Sequence, residues 1–141
     1  MTRSPAVPIM VGAGTCIAAL ILIPSGLAAP SAVPVLGSAH AFQAGKGFGA
    51  VKPRTVFLGG DPTGLFKSLT WTGWGKSKST GHGKGYYPPP GKPTADAVQV
   101  PVVLVASSLG SCKGHLAYRR MAVSFEYKGH MEPGSTLGIC R

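Results

Sequence analysis

The stretch from Leu116 to Lys128 alternates apolar and polar side chains, and no other feature of the chain constrains its fold as strongly. One face carries Met121, Val123, Phe125 and Tyr127, and the other carries Arg120, Ser124, Glu126 and Lys128. A period of two is that of a β-strand, and a strand with one apolar face buries that face in a sheet. The segment therefore predicts a half-buried antiparallel strand.

Three further segments have strand character and are separated by turns rich in glycine or proline. They are Arg54–Leu58, Leu65–Trp71 and Ala97–Val105. The core side chains expected from the third segment are Val98, Val100, Val102 and Leu104. Pro101 lacks the N–H group of a ladder donor, which places this strand at a sheet edge or at a bulge.

Glycine and proline are abundant, with 21 and 13 copies in 141 residues, and both disfavour long helices. About five or six short strands between such turns predict an all-β fold, a single small antiparallel sandwich or open barrel after an N-terminal signal-peptide helix. We expect residues 42–53 to form a flexible lead-in and residues 54–141 to form the β domain. The end of the chain, from Gly129 to Arg141, is predicted to be irregular.

The N-terminal segment has the pattern of a secretory signal peptide. Arg3 is the only Lys, Arg, Asp or Glu before Lys46, and an uncharged apolar run extends from Ile9 to Ile23 before Pro24 interrupts it. Residues 1–41 are therefore assigned to the signal peptide and its cleavage region. Two cleavage sites fit the small-residue rule, Gly26-Leu27-Ala28 and Ala39-His40-Ala41.

The alternative for this segment is an uncleaved membrane anchor. The apolar stretch from Ile9 to Leu27 is barely long enough, because a spanning helix needs about 20 apolar residues, and interior glycines weaken it further. We therefore expect a protein secreted from the cytoplasm, with membrane contact only through an uncleaved signal segment.

Cys112 and Cys140 are the cysteines that remain once the signal segment, which holds Cys16, is removed. An exported pair most simply forms a disulfide, and in the chain-entropy model a loop of this length contributes about 3.5 kcal/mol. The alternative is a zinc site that adds His115 and His130 to the two thiols. Because the spacing matches no common zinc motif, we predict no metal and no cofactor.

A basic, glycine-rich segment extends from Lys76 to Lys92 and contains three consecutive prolines. We predict a long loop here, with a short edge strand around residues 79–83. The candidate binding residues are Trp74, Lys76, Lys78, Lys84, Tyr86, Tyr87 and Lys92. Rings that stack and cations that neutralise charge suit an anionic polymer. For Trp74 and its neighbour Trp71, the alternative is a place in the core.

No catalytic constellation is found among the acidic and nucleophilic residues. The four carboxylates are Asp61, Asp96, Glu126 and Glu132. Their positions give no facing pair, and no Gly-x-Ser-x-Gly motif is present. We therefore predict that the protein is not an enzyme. The formal net charge of +10 predicts attraction to anionic polymers.

Several short motifs resemble those of a group of small secreted actinobacterial proteins. The motifs are Leu69–Gly75 with two tryptophans, Thr80–Gly83, a valine-rich strand, and Cys112-x-Gly114-x3-Tyr118 leading into Met121–Phe125. The resemblance covers about residues 54–127, implies export and a β fold, and adds no catalytic residue. Many members have an extra cysteine pair before the valine strand, where this chain has Tyr86–Pro90 instead.

Together these patterns predict a secreted, non-catalytic β domain that binds an anionic cell-wall polymer through a basic, aromatic loop. The alternative is a secreted protein-binding module or inhibitor that uses the proline-rich loop. Outside the cytoplasm we do not expect nucleic acid as the partner. Strong salt dependence of binding would favour the polymer, whereas a salt-insensitive protein partner would favour the alternative.

Overall fold

The computed structural model describes residues 31–141, which form one compact unit. Residues 1–30 of the predicted signal peptide and cleavage region, with Cys16 and the first cleavage site, lie outside the described residues, whereas residues 31–41 with the second site are described. The strands are β1 (Val35–Leu36), β2 (Val56–Phe57), β3 (Leu65–Thr72), β4 (Ser79–Tyr87), β5 (Val98–Cys112), β6 (His115–Tyr127) and β7 (His130–Gly138). Two 3-10 turns, Pro62–Gly64 and Thr94–Asp96, precede β3 and β5.

All seven strands belong to one sheet, with the order β2-β3-β4-β5-β6 and antiparallel pairing throughout this series. The far side of β6 is shared by two strands. β1 pairs with it in parallel at Ala117 and Tyr118, and β7 pairs antiparallel with it between Arg120 and Tyr127. The sheet curls into a half-barrel, which confirms the predicted all-β class.

The core fills the concave face of this half-barrel. Val100, Val102 and Leu104 of β5 lie there, as the alternation of that strand predicts, whereas Val98 is 41% exposed at its first position. In β6 the apolar face is confirmed in the same way. Its buried members are Met121, Val123 and Phe125, and Tyr127 packs half-buried against them.

The glycine-rich basic segment is a central strand rather than the long loop that its composition predicts. β4 pairs with β5 over its whole length and with β3 on its other side. Gly81, Gly83 and Gly85 fall on its concave face, and large side chains of β3 lie over them. A Cβ on Gly81 would come within 3.0 Å of the Trp71 ring, and one on Gly85 within 3.0 Å of Phe66. The glycines therefore make room for core side chains.

The end of the chain also differs from its predicted irregular form, because β7 covers nine of its residues. Pro101 was expected at an edge or bulge, yet β5 is an interior strand. The ladder between β5 and β6 begins only at Val102, however, so Pro101 has a ladder partner on the β4 side alone. The missing N–H group is tolerated there because Pro101 takes no part in the pairing between β5 and β6.

The folded unit begins earlier than residue 54. Leu36 is fully buried in β1, and Phe48 is 8% exposed in the stretch predicted to be a flexible lead-in. The Leu36 N–H donates to the Ala50 carbonyl at 2.9 Å, and the Gly49 N–H donates to the Leu36 carbonyl at 2.7 Å. A few bulky residues among many small ones are enough to attach this segment to the core.

Candidate functional site

The predicted binding residues do not form one surface. Lys76 and Lys78 lie in the turn before β4, Lys84 lies at mid-strand, and Lys92 lies in the loop after β4. A nine-residue strand spans about 26 Å at about 3.3 Å per residue, so the first and last of these lysines lie at opposite ends of the sheet. Of the four, only Lys84 occupies an exposed alternate position of the strand.

Both tryptophans have structural roles. The Trp71 ring is 8% exposed, and its Nε1 donates to the Pro53 carbonyl at 2.8 Å. Trp74 is half-buried, and its Nε1 donates to the Pro34 carbonyl at 2.9 Å. Its ring meets Trp71 and Tyr118 edge-on, with centroids 5.0 and 5.1 Å apart. Trp74 therefore holds the turn before β4 against the core.

The two tyrosines of the predicted site point to different places. Tyr87 packs into the core, with its ring centroid 5.3 Å from that of Phe125 and 5.2 Å from that of Tyr127. Tyr86 lies on the opposite face of β4 and lines an open cleft with Asp61 and Thr94. Of the predicted aromatic residues, Tyr86 is the one that borders a cleft without packing into the core.

The charges are distributed unevenly along the strands. Asp61 and Asp96 precede β3 and β5, and Glu126 and Glu132 lie beside the turn between β6 and β7. In this antiparallel sheet these positions are at one end, which we call the acidic end. The opposite end, which we call the cationic end, carries no carboxylate side chain among residues 31–141. Its cationic side chains include Lys52, Lys76, Lys78, Lys113, Arg119, Arg120 and Arg141, with His40 and His115 beside them.

A cleft of about 490 Å3 opens at the cationic end. Four side chains that carry or can accept a positive charge line it, namely His40, Lys113, His115 and Arg141. They come from the segment after β1, the turn between β5 and β6, and the last residue of the chain. We refer to this feature as the cationic cleft.

The disulfide assembles the cationic cleft. Cys112 and Cys140 are bonded, with Cα atoms 5.7 Å apart, which confirms the predicted bridge and leaves neither sulfur as a zinc ligand. The bridge holds Arg141 beside the turn that contains Lys113. On the other side, the Ser38 hydroxyl donates to the main-chain oxygen of Arg141 at 2.7 Å.

The turn between β5 and β6 projects its lysine at the rim of the cationic cleft. Cys112 and His115 pair across it, and the two residues between them, Lys113 and Gly114, have φ values of 49° and 81°. Two positive φ values are the mark of the type I′ turn that suits the twist of a hairpin. Lys113 therefore stands at the tip of a tight, well-defined turn.

Arg141 keeps donors available to a ligand although its side chain is anchored. Its Nε donates to the Gly138 carbonyl at 3.0 Å, and its guanidinium lies 5.0 Å from the centroid of the Phe42 ring. Since a guanidinium has five N–H donors, the terminal NH2 groups can still donate to an anion. A guanidinium that is held in this way at the wall of a cleft is suited to a phosphate or carboxylate group.

Sequence reasoning missed the cationic cleft because its residues are far apart in the chain. His115 was considered only as a zinc ligand, and His40 only as part of a cleavage site. The cysteine pair was the available signal, since a bond between Cys112 and Cys140 must bring Lys113 close to Arg141.

No protein-family model, curated protein or solved structure matches the chain. Within residues 31–141 there is no cluster of His, Cys, Asp and Glu that could hold a metal ion. The same residues include no helix long and apolar enough to cross a membrane.

Proposed function

We propose that this protein is an exported, non-catalytic domain that binds an anionic surface polymer through the cationic cleft. One observation carries the proposal: His40, Lys113, His115 and Arg141 surround one cleft at the end of the sheet that has no carboxylate side chain among the described residues. The ligand groups that this chemistry favours are the phosphates or carboxylates of a repeating polymer.

The surroundings of the cationic cleft extend the same chemistry. Lys76 and Lys78 are exposed in the turn before β4 at this end of the sheet. A polymer bound in the cleft would meet further cations along its length, and each neutralised phosphate releases counterions. This replaces the predicted basic, aromatic loop: Lys76 and Lys78 remain part of the binding surface, and Trp74 holds their turn against the core. Tyr87 packs against Phe125 and Tyr127 at the opposite end of the sheet.

Export is supported by the disulfide, because disulfides persist in oxidising compartments.

The burial of residues near the two predicted cleavage sites distinguishes between them. Ala41 is 4% exposed, and a cut after it would remove β1 with its fully buried Leu36. A cut after Ala28 leaves the compact unit complete. We expect the secreted chain to begin at Ala29, and mass spectrometry that finds Phe42 as its first residue would contradict this.

The binding test compares two charge-matched variants. One replaces Lys113 and Arg141 at the cationic end by Gln, and the other replaces Lys92 and Lys128 at the acidic end. Affinity for purified teichoic acid would be measured over a range of salt concentrations. The first variant should lower the slope of log affinity against log salt by about 1.5, since each phosphate contact contributes about 0.7–0.9. The second variant should lower this slope by less than half as much.

Two outcomes would overturn the proposal. Equal losses in both variants would mean that net charge, and not the cationic cleft, attracts the polymer. A wild-type protein that ignores teichoic acid at low salt, and instead captures a protein in a salt-insensitive way, would favour the protein-binding module.

A further inference from the structure

A second cleft, of about 540 Å3, opens at the acidic end of the sheet. It lies between the two 3-10 turns, and its volume is within the range of roughly 300–1,000 Å3 that is typical of ligand sites. The residues that line it are Asp61, Pro62, Thr63, Tyr86, Thr94, Ala95 and Ala97. They combine one tyrosine ring with its hydroxyl, three short apolar side chains, two threonine hydroxyls and one carboxylate. We refer to it as the tyrosine cleft.

Tyr86 provides an apolar surface with a polar tip. Gly85 faces the core, so strand alternation directs the neighbouring Tyr86 to the outer face, where the cleft lies. The ring is half-buried rather than packed into the core. A tyrosine in this position can cover an apolar ligand face and hydrogen-bond at its rim.

The polar side of the tyrosine cleft is fixed in geometry. Asp61 caps the first 3-10 turn: its Oδ1 accepts from the Thr63 N–H at 2.9 Å and also from the Thr63 hydroxyl. These bonds lower the pKa of Asp61 from its ordinary value of 3.8, so the carboxylate stays charged at neutral pH. Oδ2 accepts no hydrogen bond from the described residues, and the Thr63 oxygen can still accept one.

The charges around the tyrosine cleft define the class of ligand. An anion would be repelled by Asp61, which stands at the cleft wall, and by Asp96 in the second 3-10 turn. A cation would be repelled by Lys84, two residues before Tyr86 on the same face of β4, and by Lys92 just before the second 3-10 turn. A neutral ligand with many hydroxyls has neither penalty, and its hydroxyls can donate to Asp61 while an apolar ring face covers Tyr86.

We propose that the tyrosine cleft binds a neutral saccharide, with one sugar ring stacked on Tyr86 and its hydroxyls bonded to Asp61, Thr63 and Thr94. The inference stands apart from the anionic polymer, because the two clefts lie at opposite ends of the sheet. A wall polymer that carries both sugars and phosphates would engage both clefts.

The test uses the disulfide-bonded protein and three soluble probes: chitotetraose, which is neutral, spermidine, which is cationic, and short-chain polyphosphate, which is anionic. NMR titration should shift the amides of Thr63, Tyr86 and Thr94 with chitotetraose or, in a parallel titration, with cellotetraose. The shifts should not depend on salt. Tyr86→Ala should weaken saccharide binding about tenfold, and Tyr86→Phe should keep most of it because the ring remains.

Two further variants distinguish a loss of saccharide binding from a loss of folding. Thr94→Val is nearly isosteric at an exposed position and should weaken saccharide binding by a few-fold with an unchanged melting temperature. Asp61→Asn keeps a capping side chain and an acceptor, so the saccharide should still bind. The Lys113 and Arg141 variant should lose polyphosphate and keep the saccharide, which separates a failure at one cleft from a failure at the other.

Three outcomes would overturn the inference. One is that neither oligosaccharide shifts these amides at millimolar concentration. Another is that spermidine shifts them and Asp61→Asn abolishes the effect, which would make the cleft a cation site. The third is that Tyr86→Ala and Thr94→Val bind the oligosaccharide as tightly as the wild type does.

Discussion

The hydroxyl of Tyr118 donates to the Lys76 carbonyl at 2.8 Å, across 42 positions of sequence. The same oxygen accepts from the Gly75 N–H at 2.8 Å, and the tyrosine is fully buried in β6. One side chain thus satisfies both a donor and an acceptor of the turn before β4. The turn that presents Lys76 and Lys78 is thereby attached to the central strands of the sheet.

Replacing Tyr118 by Phe should destabilise the protein by about 1–2 kcal/mol, because two hydrogen bonds are lost while the ring remains. The free energy of unfolding would be measured by urea denaturation. Hydrogen exchange of the Gly75 amide should accelerate more than that of β5 amides. An unchanged Gly75 exchange rate would show that the turn is held by other contacts.

Trp74 offers a second test of the same attachment. Trp74→Ala should lower the free energy of unfolding by about 3 kcal/mol, because it removes the edge contacts to Trp71 and Tyr118 and the hydrogen bond to the Pro34 carbonyl. Trp74→Phe should cost less, since a ring remains. If Trp74→Ala instead left stability unchanged and weakened polymer binding, the tryptophan would be a ligand-stacking residue.

The strands with large alternating side chains were predictable, whereas β4 was not. The predicted strands Leu65–Trp71 and Leu116–Lys128 correspond closely to β3 and β6. They were recognisable because large apolar side chains recur at every second position on one face. In β4 the concave positions are glycines, so the period of two is present without hydrophobic residues. Glycine is needed at these positions because the Trp71 and Phe66 side chains of β3 occupy the space above them. The sequence of β4 alone does not show this contact.

Gly83 tests this explanation. A Cβ there would lie 2.5 Å from the Lys67 carbonyl oxygen and 2.9 Å from Leu69 Cδ2, so Gly83→Ala should cost about 2 kcal/mol through overpacking. Gly138→Ala in β7 is the matched control, because nothing lies within 4 Å of its added Cβ. Its effect on thermal unfolding should be small. Equal effects of the two substitutions would contradict a packing role for the β4 glycines.

The disulfide was predictable from the count of cysteines, but the cleft that it assembles was not. Two contacts bring His40 and Arg141 into the same cleft: the bond between Cys112 and Cys140, and the hydrogen bond between Ser38 and Arg141. Neither the position of Ser38 nor the pairing of β1 with β6 is marked by any local pattern. The clefts therefore emerge from tertiary contacts.

Replacing both Cys112 and Cys140 by Ser should destabilise the protein by about 3.5 kcal/mol, through the larger entropy of the unfolded chain. If the sheet stays folded, polymer affinity should also fall, because Arg141 is no longer bonded beside Lys113. Denaturation curves and binding would be measured on the same sample. Full affinity in a folded double variant would show that the cationic cleft does not depend on the bridge.

The most direct test of polymer binding at the cationic end is an NMR titration of the disulfide-bonded protein with purified teichoic acid at low salt. The largest shifts should fall on the amides of Ser38–His40, Lys113–His115 and Arg141, with Lys76 and Lys78 next, and they should diminish as salt is added. The amides around Lys92 and Lys128 should shift little. Shifts centred on the acidic end, or none at all, would contradict binding through the cationic cleft.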